Sequence, residues 1–204
     1  MTTLAGITKD STTATEFSTA YVRHLSDLLA SLDPSAIAAV ADHFMRARAE
    51  GRTIFLIGNG GSAATASHMA NDLGLCHTGT SGPAFRALAL TDGVPIMTAI
   101  GNDFGYAELF TRQLEVHYRP GDVVLAISAS GNSPNLLAAA TWVRERGGVV
   151  LGFLGFGGGA LKDMCDASVI ARTEHGEYGP VEDVHMILDH LITLWLRKCL
   201  REGA

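Results

Sequence analysis

The sequence predicts an α/β fold of three layers, in which helices cover both faces of a doubly wound, five-stranded parallel sheet. The first observation is that short apolar runs alternate with helical patterns, as strands buried on both faces of a parallel sheet do. The second is that the 204-residue chain is 47% hydrophobic and only 18% charged, which suffices for the core of one domain.

Five apolar runs are the predicted strands. The first, TIFLIG, ends in glycine and passes directly into a helical pattern, as strands do in doubly wound folds. The predicted strands are residues 53–58, 85–90, 122–128, 149–154 and 167–172.

Helical periodicity fills most of the remaining chain. Residues 14–32 and 34–50 predict two antiparallel helices, since SLDPSA between them is a stop-and-start signal. Further helices are predicted over residues 62–73, 94–100, 106–117, 133–145, 160–165 and 180–200. Residues 1–12 are rich in Thr and Ser and are expected to be flexible, which leaves 13–204 as a single domain.

Composition argues against several classes of protein. The net charge is −6 and no stripe of Lys or Arg is present, so nucleic-acid binding is not expected. Charged residues or histidines interrupt every apolar run before it reaches membrane-spanning length, and we expect no membrane partner. The N-terminus lacks a secretory pattern and the three cysteines are widely spaced, so we expect a cytoplasmic protein with reduced thiols.

Two turns at predicted strand ends have an unusual chemistry. GNGGS (58–62) and SASGNS (128–133) combine glycines, which let a backbone approach a ligand, with serine hydroxyls at the start of helices. One such turn also fits an ordinary serine-capped helix. Two at one edge of a sheet favour an anion site that needs no Lys or Arg. Neither turn has the spacing of a dinucleotide fingerprint or a Walker loop.

Two helices carry candidate chemistry. His68 and Asp72 are at i and i+4 and share a helix face. Glu182 and His190 are eight residues apart, about 80° around a helix axis, and can point into one cavity. Two histidines with two carboxylates suit zinc. The same patterns occur in surface pairs and in solvated helix stripes, so the residues alone leave both interpretations open.

Four ordered motifs resemble one known family. GNGGSAATASHMANDL, ALALTDGVPIMTAIGNDFGY, RPGDVVLAISASGNSPNLLAA and VEDVHMILDHL are similar to those of sugar isomerase (SIS) domain proteins of the phosphoheptose isomerase type. The resemblance covers nearly the whole chain. It implies a flavodoxin-like sheet with a long C-terminal helix, and two extra N-terminal helices (13–50) used in oligomerisation. It also implies a homotetramer with active sites at subunit interfaces.

The resemblance assigns the two turns to a phosphosugar substrate. Ala129 stands where the family usually has threonine, so one hydroxyl donor to the phosphate is missing. The substrate-binding residues it implies are Asn59, Gly60, Gly61, Ser62, Asp92, Ser128, Ala129, Ser130, Ser133 and Glu182.

The implied reaction interconverts D-sedoheptulose 7-phosphate and D-glycero-D-manno-heptose 7-phosphate through an enediolate, in heptose biosynthesis. By resemblance, Asp72 is the base, His190 is the acid, and His68, Asp72, Glu182 and His190 hold one Zn²⁺ per subunit. The family usually has glutamate at the position of Asp72 and glutamine at that of Glu182. Because aspartate is one methylene shorter, either its helix sits closer to the substrate or Glu182 takes over as the base.

Two alternatives stay open at this stage. Some SIS proteins are non-catalytic modules that sense phosphosugars or recruit other proteins, although they tend to lack the histidine found here at His190. A further alternative keeps the chemistry with another ketose phosphate as the substrate, given the residues at Asp72, Ala129 and Glu182. His185 and Asp189, the other polar pair on the last helix, are expected to be structural or to support the site.

Overall fold

A computed structural model describes residues 3–80 and 82–203. Five parallel strands form one sheet within this part of the chain. The strands are β1 (Thr53–Gly58), β2 (Arg86–Ala89), β3 (Val123–Ser128), β4 (Val149–Gly155) and β5 (Ala167–Ala171).

The order of the strands in the sheet is β2-β1-β3-β4-β5, and every neighbouring pair is parallel. Leu56 of β1 pairs with Ala89 on one side and with Leu125 on the other. The direction of winding therefore reverses between β1 and β3. In open α/β sheets, ligands bind beyond the carboxyl ends of the two strands at such a reversal.

Helices cover both faces of the sheet. They are α1 (Leu4–Asp10), α2 (Ala14–Ala30), α3 (Pro34–Ala49), α4 (Gly61–Leu75), α5 (Val94–Asp103), α6 (Thr111–His117), α7 (Pro134–Arg144) and α8 (Tyr178–Glu202). Helices α3, α4 and α8 pack on one face, and α5, α6 and α7 pack on the other. The central strands β1, β3 and β4 are buried on both faces, which explains why their sequences are continuous apolar runs.

The predicted fold class is confirmed, and most predicted elements match to within a few residues. The predicted helix over 106–117 is divided into a 3₁₀ turn, Tyr106–Glu108, and α6. Helix α8 begins two residues before Pro180, so the proline lies in the first turn, where its missing N–H costs no intrahelical hydrogen bond. None of the helices in the described residues has the length and apolar character of a membrane span.

The N-terminus differs from its prediction as a flexible segment over 1–12. Residues Leu4–Asp10 form helix α1, Thr3 caps it, and Ile7 is buried. The Leu4 N–H donates to the buried carboxylate of Glu177, whose other oxygen lies 3.2 Å from His24 Nε2. Seven residues are too few for a helix that is stable alone, so α1 depends on this docking, which a local sequence pattern does not reveal. Residues 1 and 2 lie outside the described part of the chain, and 13–204 as the domain stays a prediction.

Candidate functional site

A cavity of about 200 Å³ opens beyond the carboxyl ends of β1 and β3. Nine of the ten predicted substrate-binding residues line it. They are Asn59, Gly60, Gly61, Ser62, Ser128, Ala129, Ser130, Ser133 and Glu182. The cavity therefore lies at the reversal of the sheet, where the two turns were expected to meet.

Two helix N-termini face this cavity without side-chain caps. Helix α4 follows Gly60, whose φ of 56° favours glycine, and no side chain bonds its first N–H groups. Ser133 is the N-cap residue of α7, yet its hydroxyl makes no capping bond. The ordinary serine-cap interpretation thus does not describe these turns. The first N–H groups of α4 and its partial positive charge are available to an anion, whereas α7 begins with Pro134, which has no N–H, and its Leu136 N–H donates to Asn135 Oδ1.

The second turn is held in place by the glycine-rich segment after β4. Within the turn, the Gly131 N–H donates to Ser128 Oγ at 3.0 Å. From the supporting segment, the Ala160 N–H donates to Asn132 Oδ1 at 2.9 Å. Gly131 has a φ of 64°, and a Cβ there would overlap the carbonyl of Gly158. The close backbone contact gives the turn a fixed shape before any ligand binds.

The carboxylate of Glu182 reaches into this cavity from α8. It lies against Gly61, where an added Cβ would collide with it. Burial, and then the negative charge of Asp183, raise the pKa of Glu182 above its usual value. A carboxylate with a raised pKa at a cavity is suited to proton transfer.

Asp92 is the predicted substrate residue that does not line the cavity. It follows β2 and is exposed. Its Oδ1 accepts a hydrogen bond from the Ser67 hydroxyl, and the Thr91 hydroxyl lies 3.4 Å away. Ser67 precedes His68, so Asp92 lies beside the histidine-bearing part of α4.

A second group of polar side chains joins α4 to α8. His68 Nε2 lies 3.1 Å from His190 Nε2, 3.5 Å from Asp72 Oδ2 and 4.0 Å from Asp189 Oδ2. One ligand atom from each of these four residues lies within 4.8 Å of every other. Ligands of tetrahedral zinc, at bonds of about 2.0 to 2.1 Å, are separated by roughly 3.3 Å. The residues therefore form a possible metal-binding group.

Glu182 lies outside this group, so the structure brings together three of the four predicted ligands, His68, Asp72 and His190, and places Glu182 elsewhere. The prediction considered only the angle around the helix axis. Eight residues of α-helix also separate Glu182 from His190 by about 12 Å along that axis. Glu182 accordingly lies beside Gly61 at the start of α4, whereas His190 lies beside His68 two turns later.

Asp189 is the fourth member of the group, and the sequence analysis expected it only to be structural or to support the site. Its side chain is fully buried, and neither carboxylate oxygen has a hydrogen-bond partner in the described residues. Burial, with a contribution from the charge of Asp72, raises the pKa of Asp189 to about 7. The signal was available, because the buried face of α8 follows helical spacing and includes His185 and Asp189 where apolar residues are expected.

Asn135 is a further residue that sequence reasoning missed. It is buried at the start of α7, and its amide pairs with that of Asn59, which links the two turns. Asn135 follows Ser133 and Pro134 at the start of the helix, and nothing in this local sequence predicts that its side chain links the two turns.

Comparison with known proteins is consistent with this architecture. The family model described as SIS domain matches residues 17–155. The chain belongs to the SIS domain family. The matched region contains both turns, His68 and Asp72, while Glu182, Asp189 and His190 lie beyond it.

Individual SIS relatives extend the similarity. The phosphoheptose isomerase of Burkholderia pseudomallei is 36% identical over 158 residues, which are 78% of this chain and 79% of that protein. The phosphoheptose isomerase of Pelobacter propionicus is 35% identical over 178 residues, 87% of this chain and 93% of that protein. The solved structure of the phosphoheptose isomerase from Francisella tularensis has a TM-score of 0.79 and 25% identity, and the match covers 91% of this chain and 99% of that one.

Proposed function

We propose that this SIS domain protein is a phosphoheptose isomerase, which interconverts D-sedoheptulose 7-phosphate and D-glycero-D-manno-heptose 7-phosphate for heptose biosynthesis. The observation that carries the proposal is the spacing of two sites along one helix pair. Helices α4 and α8 run side by side in the same direction, with Gly61 beside Glu182 and His68 beside His190. Seven residues of α4 separate the cavity from the histidines by about 10 Å. An open-chain heptose phosphate spans a comparable length from its phosphate to its reacting carbons.

The phosphate is assigned to the cavity between the turns. Ser62, Ser128, Ser130 and Ser133 supply hydroxyl donors, and the uncapped start of α4 supplies N–H groups. The backbone donors offset the hydroxyl that Ala129 lacks. Asn59 lies at the wall of the cavity and is assigned to a sugar hydroxyl, as is Asp92 near His68.

The isomerisation needs a base and an acid. A base removes a proton from C1 while the C2 oxygen gains one, and the resulting enediol is then protonated at C2 as the C1 hydroxyl becomes a carbonyl. Asp72 and Glu182 are both candidates for the base. Asp72 lies beside His68, at the end where the reacting carbons are placed, whereas Glu182 lines the phosphate cavity and has a raised pKa. His190 is exposed, lies beside His68 of α4, and is proposed as the acid.

A Zn²⁺ ion, one per subunit, is proposed at the group around His68, Asp72 and His190. The donor types and distances fit such an ion. When bound there, zinc would supply Lewis-acid stabilisation of the negative charge on the sugar oxygens.

We also propose a homotetramer in the cytoplasm, with active sites at subunit interfaces. Helix α8 supports the oligomer, because it exposes Leu191, Leu194 and Trp195 to solvent in the single chain. Leu191 and Trp195 also line an apolar groove of about 650 Å³ that α8 forms with residues from the end of α2 to α3. The cytoplasmic location rests on the sequence argument from its cysteines.

Proton NMR in deuterated water tests the proposed reaction. The zinc-loaded protein is incubated with sedoheptulose 7-phosphate, and we expect an aldose product with deuterium at the reacting carbon. His190→Gln should abolish the exchange without changing the circular dichroism spectrum. Fructose 6-phosphate and ribulose 5-phosphate, run in parallel, show whether the sugar length is specific. Binding of sedoheptulose 7-phosphate without exchange would contradict an isomerase and favour a sensor.

A further inference from the structure

A second small cavity, of about 150 Å³, lies between α4 and α8 beside the proposed acid. Its lining residues are Asp72 from α4 and His190, Thr193, Leu194 and Arg197 from α8. One water molecule takes up roughly 30 Å³ in the liquid, so the cavity has room for several heavy atoms. The C1–C2 end of an open-chain sugar, with its oxygens, is a group of that size.

Arg197 is the permanently charged cation in the lining of this cavity. It follows His190 by seven residues, which are two turns of α8, and so lies within about 20° of the same direction around the helix axis. Because helical side chains lean toward the N-terminus of their helix, the long Arg197 side chain extends back toward His190. It is partly buried. Arg197 therefore brings a fixed positive charge to the cavity where the acid lies.

The charge of Arg197 has no anionic partner in the part of the chain that the structure describes. None of the ion pairs among residues 3–80 and 82–203 includes it. Its neighbour is the buried Cys76 thiol, which donates to the Thr193 carbonyl at 3.2 Å. Burial raises the pKa of Cys76 and the charge of Arg197 opposes the rise only in part, so the thiol stays neutral. The N–H donors of Arg197 are thus available to an oxygen in the cavity.

We propose that Arg197 is a further catalytic residue, whose guanidinium donates hydrogen bonds to the oxygens on the reacting carbons. The inference rests on the proposed function, which places those carbons beside Asp72 and His190. When the base takes the proton from C1, the C–H electron pair forms the C1=C2 bond and the carbonyl pair moves onto the C2 oxygen. Arg197 stabilises that oxygen until His190 protonates it. Because this charge develops only as the reaction proceeds, the contact acts on kcat more than on KM.

A basic residue in the last turns of a helix can also serve the helix dipole alone. Arg201 is such a residue, since it lies one turn after Arg197, is exposed and does not line the cavity. The two arginines share a helix and differ in their access to the cavity. Arg201→Met is therefore the matched control for Arg197→Met, and each variant removes one charge and keeps an unbranched side chain.

Steady-state kinetics of the zinc-loaded full-length protein with sedoheptulose 7-phosphate tests the proposal. We expect Arg197→Met to lower kcat by about 100-fold or more and to change KM by less than about threefold, because a donor to a developing oxyanion is lost. Arg197→Lys keeps the charge and loses the planar fork, so its kcat should fall by only about tenfold. Arg201→Met should keep both constants. Added guanidinium ion should restore part of the turnover of Arg197→Ala, which a purely structural role would not allow.

Zinc titration and circular dichroism of the metal-free variants separate the proposed contact from a supporting role. Both should match the wild type in Arg197→Met. The inference would be overturned by a kcat within about threefold of the wild type in Arg197→Met, or by an equal loss in Arg201→Met. A loss of kcat that is matched by a loss of zinc affinity would overturn it as well. Wild-type protein that binds sedoheptulose 7-phosphate without turnover would overturn the proposed reaction, and the role of Arg197 with it.

Discussion

Asn59 and Asn135 exchange two side-chain hydrogen bonds, of 3.0 and 2.8 Å, between the turn after β1 and the start of α7. The Tyr106 hydroxyl donates a third bond, of 2.9 Å, to Asn59 Oδ1. Because an amide pair has fixed geometry, it holds the two turns at one separation. The spacing of the proposed phosphate donors is therefore set before the substrate binds.

Asn135→Ala should loosen that spacing. The variant leaves the Asn59 amide without its partner, and we expect KM for the phosphosugar to rise by about tenfold and stability to fall by about 1 to 3 kcal/mol. Tyr106→Phe is the control, since it removes one bond to Asn59 and keeps the amide pair, so its effect on KM should be smaller. Steady-state kinetics and urea unfolding measure both. An unchanged KM in Asn135→Ala would remove the amide pair from substrate binding.

The serine hydroxyls of the second turn are expected to act mainly in binding. Ser130 and Ser133 line the cavity that we propose for the phosphate, and His68 and His190 are not among its lining residues. Replacing both with alanine should raise KM by about 10-fold to 100-fold with little change in kcat, because two hydrogen bonds to a charged group are lost. Ser26→Ala, which removes a hydroxyl on the exposed face of α2, should change neither constant. Saturation behaviour that is unaltered in the double variant would separate this turn from the phosphate site.

The sequence predicted the fold and the cavity well because both depend on local patterns. Buried strands are marked by apolar runs, and turns such as GNGGS and SASGNS by glycine and serine at strand ends. The grouping of polar side chains was predicted only in part. His68, Asp72 and His190 lie together as expected, but whether Glu182 or Asp189 lies beside them depends on how α8 is placed along α4. The docking of α1 and the pairing of Asn135 with Asn59 also depend on contacts between segments that are distant in sequence. A local sequence pattern does not predict such contacts.

Gly61→Ala tests the position of Glu182. The added Cβ would occupy the space of the Glu182 carboxylate, which can rotate away because it ends a flexible side chain. We expect kcat to fall by about tenfold or more, because moving a proton-transfer group by about 1 Å is enough to slow the reaction that much. The free energy of unfolding should change by less than about 1 kcal/mol. Gly74→Ala is the matched control in the same helix, because no atom lies within 4 Å of its added Cβ. That variant should keep its kcat and gain up to about 1 kcal/mol. A wild-type kcat in Gly61→Ala would argue against Glu182 as the base.

Two buried groups on α8 should oppose each other in the pH dependence of metal-free stability. Burial lowers the pKa of His185 to about 4, so between its ordinary pKa and 4 the unfolded chain binds the proton first and acid destabilises the fold. Asp189 has the opposite sign. Its pKa is raised to about 7, so the folded protein holds a proton that the unfolded chain lacks, and stability rises as the pH falls from 7 toward 4.

In the wild-type protein these two slopes largely cancel between pH 4.5 and 6.5, a range that is about the overlap of the two windows. Asp189→Asn removes one of them and should reveal a loss of stability on acidification, of up to about 3 kcal/mol. His185→Leu should reveal the reverse, a metal-free protein that becomes more stable as the pH falls. Urea unfolding at several pH values, in the presence of a chelator, measures each profile. If Asp189→Asn unfolds with the wild-type pH dependence, Asp189 is already ionised in the metal-free fold, and another group must compensate its charge.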